Sequence, residues 1–240
     1  MMSGRENFAA LTAEVRDYLQ MLSDAGCQGM DCSQQSLEII GKWGETVAAS
    51  SHHGPETLES IREDLGDCQR CKLCQARRKI VFGAGYPKAR LMFVGEGPGL
   101  DEDRSGEPFV GPAGKMLDNI IRAMGLTREQ VYLCNIVKCR PPGNRVPNPD
   151  EIRTCLPFLK RQLDAIQPEL ICALGAVAAQ TLLDTEEIIS KLRGRFHDYH
   201  GIRLMPTFHP SYLLRNKGKK REVWEDIKKV MAEYGLPIPR

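Results

Sequence analysis

The sequence predicts an α/β fold in which helices cover both faces of a parallel sheet. Four short apolar runs, at 90–95, 131–138, 169–174 and 202–208, have the length and composition of buried strands. Helical patterns alternate with them at 112–124, 149–166, 176–183 and about 221–234. Strand–helix alternation of this kind is the mark of a parallel sheet wrapped on both sides. The least ordinary residues follow the strand ends, at Gly95–Gly99, Asn135–Asn144 and His209–Arg215. Ligands of such sheets sit beyond the carboxyl ends of the strands, so the three stretches point to one site.

Each element has a local reason. RLMFVG at 90–95 runs into a Gly/Pro loop. The helix at 112–124 has Pro112 at its start and Gly125 after its end, the favoured placement of both residues. VYLCNIVK at 131–138 is the second strand. Asn148-Pro149-Asp150 opens the helix at 149–166. ELICAL at 169–174 leads through Gly175 into an Ala-rich helix. IRLMPTF at 202–208 ends at His209-Pro210-Ser211. Ahead of all this, residues 6–22 carry Phe8, Leu11, Val15, Leu19 and Leu22 at helical spacing, and 36–49 is a candidate for a second short helix. SHHGPE at 51–56 reads as a linker. The expected organisation is an acidic, partly helical, loosely attached extension over 1–60 and a catalytic domain over 61–240.

The 240 residues carry a net charge of +2, which hides an asymmetry. Residues 1–67 hold 4 Lys/Arg and 12 Asp/Glu; residues 68–240 hold 29 and 19. A basic body suits a polyanionic partner, although a solvated basic surface explains the charge equally well. The longest apolar stretches, such as 171–179, fall short of a membrane span, and no secretory h-region is visible near the start. The expectation is a cytoplasmic monomer that does not engage a membrane.

Nine cysteines in such a chain favour a metal or cluster over disulfides. Cys68, Cys71 and Cys74 form a run with two-residue gaps, and Cys139 and Cys155 follow 16 positions apart. Four ligands are needed and these five are the nearby candidates. Spacing alone suits zinc and an iron–sulfur cluster equally. Cys134 and Cys172 sit inside apolar strands and read as small buried hydrophobes.

Among the loops, Gly95-Glu96-Gly97-Pro98-Gly99 allows close backbone approach to a ligand. It lacks the pattern of a phosphate loop, and Asp101-Glu102-Asp103 follows it. Phe109 lies between turn residues, where an aromatic either stacks a base or plugs the core. Asn135, inside an apolar strand, offers donors and an acceptor to a pyrimidine edge or to nearby backbone. His209-Pro210-Ser211-Tyr212-Leu213-Leu214-Arg215 is the densest motif, and five of the seven residues from Arg215 to Arg221 are basic.

Taken together, CQRCKL, VFGAGYP, LMFVGEGPGLDED, GEPFVGPAGKML, NIVKCRPPGNRVP, LGAVAAQTLL and FHPSYLLR resemble the family 4, iron–sulfur-containing uracil-DNA glycosylases, from Cys68 to about Ile227. The resemblance implies a three-layer α/β/α sandwich around a four-stranded parallel sheet. It implies a [4Fe–4S] cluster of structural purpose, held by Cys68, Cys71, Cys139 and Cys155, with Cys74 in excess. It implies an enzyme of base excision repair that flips uracil from single- or double-stranded DNA and hydrolyses the N-glycosidic bond, leaving an abasic site. Glu96 and Gly97 would line the uracil pocket, Phe109 would stack on the base, Asn135 would pair with its edge, and His209 would donate to O2. Glu102 and Asn144 would be further pocket or water-positioning residues, with Glu102 also the candidate block against thymine's methyl. Ser211 would meet a phosphate, and Leu213, Leu214 or Arg215 would fill the gap left in the stack. Gly97 stands where better-known branches of the superfamily place a water-positioning aspartate, which leaves Glu96, Glu102 and Asn144 as substitutes. Binding modules without chemistry, built on zinc or on covalent capture of the base, are the rival readings, beside the sister glycosylase class of broader substrate range.

Overall fold

The computed structural model describes residues 56–238, together with Met21. The helical patterns at 6–22 (Met21 apart) and 36–49, Cys27 and Cys32, and all but Glu56 of the 51–56 stretch lie outside the described residues.

Strands β1 (Ala84–Gly85), β2 (Leu91–Gly95), β3 (Tyr132–Asn135), β4 (Leu170–Leu174), β5 (His197–Tyr199) and β6 (Ile202–Thr207) form one sheet in the order β1-β3-β2-β4-β6-β5. The four central strands are parallel, as expected from the alternation. Two short antiparallel strands, β1 and β5, extend the sheet at its edges. Two or three residues leave no periodicity in a sequence, which is why these edges were not foreseen.

Helices α1 (Leu58–Leu65), α2 (Leu100–Ser105), α3 (Pro112–Ala123), α4 (Pro149–Ile166), α5 (Ala176–Leu183), α6 (Ile189–Leu192), α7 (Pro210–Arg215) and α8 (Lys220–Tyr234) complete the described residues. Thr57 and Ser60 close a capping box on α1, so the folded body begins a few residues ahead of position 61. Strand side chains alternate between two cores. Met92, Val94, Ile171 and Ala173 face one side with α1, α4 and α5; Leu91, Phe93, Leu170 and Cys172 face the other with α3 and α8. That is the three-layer sandwich. Cys134 and Cys172 are fully buried in β3 and β4, one in each core.

Chain order fixes where a ligand belongs. From β2 the chain crosses to β3 on one side, and the next strand, β4, lies on β2's other side. This reversal opens a crevice beyond the carboxyl end of β2, where Gly95 sits.

Candidate active site and cysteine centre

Gly95 and Asn135 are register partners at the ends of β2 and β3. A Cβ on Gly95 would lie 2.5 Å from Asn135 Oδ1 and 2.7 Å from Phe109 Cζ. The missing side chain is therefore what lets the amide and the aromatic ring approach the strand end. The Phe109 and His209 ring centroids are 6.3 Å apart, their planes inclined by 32°. Three loops that the sequence singled out thus meet at one rim. Asn135 is buried, and its Oδ1 has no hydrogen-bond partner among the described residues. An orphaned buried acceptor costs about 1–3 kcal/mol, so its place at a ligand crevice is informative.

His209 caps α7. Its Nδ1 accepts from the Ser211 backbone N–H at 3.1 Å and lies 2.7 Å from Ser211 Oγ. A backbone N–H can only donate, so Nδ1 carries no proton, and the neutral ring keeps its hydrogen on Nε2. Burial, with Arg215 adding repulsion, pushes the imidazole pKa down to about 4. The site therefore holds a neutral ring with one donor free of the cap.

Phe109 adopts a left-handed backbone, φ 55°. Arg128 holds that turn, donating to Phe109 O at 2.8 Å, Pro108 O at 2.6 Å and Asp118 at 2.7 Å. Neither the strain nor Arg128 was legible in the sequence.

The structure gives several of the expected site residues partners of their own. Glu102 accepts from Gly99 N at 3.1 Å and from Val110 N and Gly111 N, both at 2.9 Å. Both carboxylate oxygens accept from backbone, so Glu102 ties the glycine loop to the Phe109 loop. Asn144 is exposed, with Oδ1 accepting from Arg140 at 2.6 Å. Leu213 is 1% exposed within the core, which excludes it as a wedge, whereas Leu214 is 40% exposed and Arg215 is exposed. The Ser211 hydroxyl lies 2.7 Å from His209 Nδ1, beside the backbone N–H that makes the cap. Gly97 has Val137 in the way: a Cβ there would lie 2.8 Å from Val137 Cγ2. Glu96 is half-buried at the end of β2, and burial alone raises its carboxyl pKa.

A family model described as the uracil DNA glycosylase superfamily matches residues 82–228. The chain belongs to that superfamily. A type-4 uracil-DNA glycosylase of Thermotoga maritima is 47% identical over 181 residues, covering 74% of this chain and 94% of that protein. One from Archaeoglobus fulgidus is 39% identical, covering 77% and 96%. A type-5 uracil-DNA glycosylase of Pyrobaculum aerophilum is 30% identical, covering 65% and 83%. The resemblance read from the motifs, family and fold alike, is borne out.

In this superfamily member four of the cysteines gather at a second place. Cys68, Cys71, Cys139 and Cys155 line one cavity, with Leu65, Phe158 and other side chains around them; Cys74 does not line it. Burial pushes the Cys139 thiol up to about 12, and raises Cys155 and Cys71 as well. Two donors stand ready to compensate thiolates: the Arg77 guanidinium Nη1 is 3.4 Å from Cys139 Sγ, and the Lys138 backbone N–H donates to Cys155 Sγ at 3.2 Å. Among the described residues no three His, Cys, Asp or Glu side chains converge as a single ion requires. Four cysteine thiols around one cavity are a donor set suited to a metal centre, and an iron–sulfur cluster takes four such thiolates. No helix among the described residues is long and apolar enough to cross a membrane.

Proposed function

We propose that this chain is a uracil-DNA glycosylase that extrudes uracil from DNA and hydrolyses its bond to deoxyribose, leaving an abasic site for base excision repair. The observation that carries the reading is the meeting of Gly95, Asn135, Phe109 and His209 around a buried amide oxygen that lacks a partner. Uracil N3–H is a donor, and Oδ1 of Asn135 is an acceptor waiting for one. Cytosine has no hydrogen at N3, so it would leave that oxygen orphaned; rejection on such grounds is strong.

Extruding a base costs a few kcal/mol, which phosphate contacts and a wedge offset. Leu214 is the wedge, and Arg215 with the lysines that follow it meets the backbone. As the glycosidic bond stretches, negative charge gathers on uracil O2. The Nε2–H of neutral His209 donates to that oxygen and stabilises charge that exists only late in the reaction. With Glu102 and Asn144 otherwise engaged, Glu96 is left to orient the attacking water.

Cys68, Cys71, Cys139 and Cys155 would hold a [4Fe–4S] cluster. Its contribution is to brace the loops that bear them, and no step of the hydrolysis runs through it. The acidic N-terminal extension ends ahead of the Thr57 cap of α1, where the catalytic domain begins. The enzyme acts as a cytoplasmic monomer on single- or double-stranded DNA.

A uracil-containing oligonucleotide, incubated with the protein and treated with alkali, tests the activity: strand scission at the uracil is expected, and an intact strand would reject the reading. A brown preparation absorbing near 400 nm and containing iron is expected for the cluster; zinc without iron would reject it.

A further inference from the structure

Lys138 is fully buried, an expensive place for an ammonium group. It stands between the two centres. Its backbone N–H donates to Cys155 Sγ at 3.2 Å, and its Nζ donates to Asn135 O at 2.8 Å and Gln162 Oε1 at 2.6 Å. Gln162 passes the chain on, from Nε2 to Phe82 O at 3.0 Å and Tyr132 Oη at 3.3 Å.

The Asn135 carbonyl has a topological need for this lysine. Ile136 N–H points at Gly95 O on β2. The C=O and N–H of one trans peptide point in opposite directions, so the Asn135 carbonyl faces the β1 side. There β1 pairs only with Leu133 and Tyr132 and stops short. The carbonyl lies past the end of the edge strand, and Lys138 Nζ supplies the donor that the ladder does not.

We propose that Lys138 is a positioning residue for uracil recognition: from beside the cysteine cavity it fixes the Asn135 main chain, so that the unpartnered Oδ1 is held where a pyrimidine edge arrives. The proposal rests on the uracil reading given above. A small loss of order at this strand end misplaces the one acceptor that recognises the base, and a misplacement of about 1 Å in an active site can lower a rate about 100-fold.

The test is a double-mutant cycle. Lys138→Met keeps length and apolar stem but removes the donor, and leaves its backbone N–H on Cys155. Single-turnover uracil excision, iron per chain and Tm are measured for wild type, Lys138→Met, Asn135→Ala and the double variant. Asn135→Ala is expected to slow excision about 100-fold or more, the loss typical of one aimed polar group. Lys138→Met alone is expected to slow it at least about tenfold with iron unchanged. The double variant is expected to fall within about threefold of Asn135→Ala, because a residue acting through another adds nothing once that one is gone. Losses that multiply, or iron lost from Lys138→Met, would overturn the proposal. If Lys138→Met does not fold, Gln162→Leu, which removes one of the two acceptors of Nζ, takes its place in the cycle with the same criteria. A wild-type chain that releases no uracil would overturn the functional reading and the proposal together; an active wild type with multiplicative losses would overturn the proposal alone.

Discussion

Adding one methyl group at Gly95 tests the crevice directly. The φ of Gly95 is outside the left-handed region, so Gly95→Ala carries no backbone strain, and its consequences follow from contact alone. The new Cβ would sit 2.5 Å from Asn135 Oδ1 and 2.7 Å from Phe109 Cζ, where ordinary contact begins at 3.4 Å. The amide oxygen must then yield roughly 0.9 Å and the ring roughly 0.7 Å. Misplacement on the scale of 1 Å lowers a rate about 100-fold. Overpacking of this kind costs about 1–3 kcal/mol of stability, which a domain of this size tolerates. Single-turnover excision from a uracil oligonucleotide measures the first effect and thermal unfolding the second. The expected result is a folded protein with excision slowed about 100-fold. A folded Gly95→Ala protein with wild-type excision would show that Asn135 and Phe109 do not form the pocket wall, and the site would have to be sought elsewhere.

Further outcomes are expected. His209→Ala should slow excision about 10²–10³-fold with little loss of DNA affinity. Because the wild-type imidazole stays neutral down to about pH 4, the rate should show no break near the ordinary histidine value of 6.5. The same shift bears on stability: the unfolded chain binds the proton near 6.5 and the folded chain near 4, so the fold weakens as pH falls between these values, and a denaturation series over that range reads it. Glu102→Ala leaves three backbone N–H groups without their acceptor and should lower both Tm and excision, with no release of thymine in a base-release assay. Leu213→Ala should cost about 2–5 kcal/mol of stability, whereas Leu214→Ala should leave stability unchanged and slow excision from duplex more than from single strands. Serine at Cys68, Cys71, Cys139 or Cys155 should reduce iron content, and serine at Cys74 should not; equal retention in all five would reject the ligand set.

The central sheet was legible because its strands are buried on both faces and read as unbroken apolar runs, and because Pro149 and Asn148 mark the start of α4 as clearly as Gly175 marks the end of β4. The meeting of three loops was legible from topology, since ligands of parallel sheets gather at one rim. Side-chain roles were less so. Leu213 and Leu214 are indistinguishable in composition; only the phase of α7, a helix too short to show a period, turns one inward and the other out. Glu102 in an acidic run looked like a surface or pocket carboxylate, yet its partners are backbone N–H groups, which every residue carries and no sequence advertises. Arg128 and Lys138 escaped notice for the same reason, because they bind carbonyls brought near by the fold.

That pattern explains how the crevice is held. The rim contains two costly features: an acceptor on Asn135 left unpaired, and a left-handed Phe109, the latter worth about 1–2 kcal/mol of strain. Neither persists unless the surroundings impose it. Each has a dedicated charged residue at its back, touching main chain and not ligand. Arg128 grips the carbonyls of Pro108 and Phe109, Glu102 grips the N–H groups of Val110 and Gly111, and Lys138 grips the carbonyl of Asn135. Charge is thus placed behind the rim, where it fixes geometry, and an amide, an aromatic ring and a neutral imidazole are among the groups proposed to face the base. A neutral imidazole with one aimed donor favours the charge that develops on a departing uracil without binding it before the bond breaks.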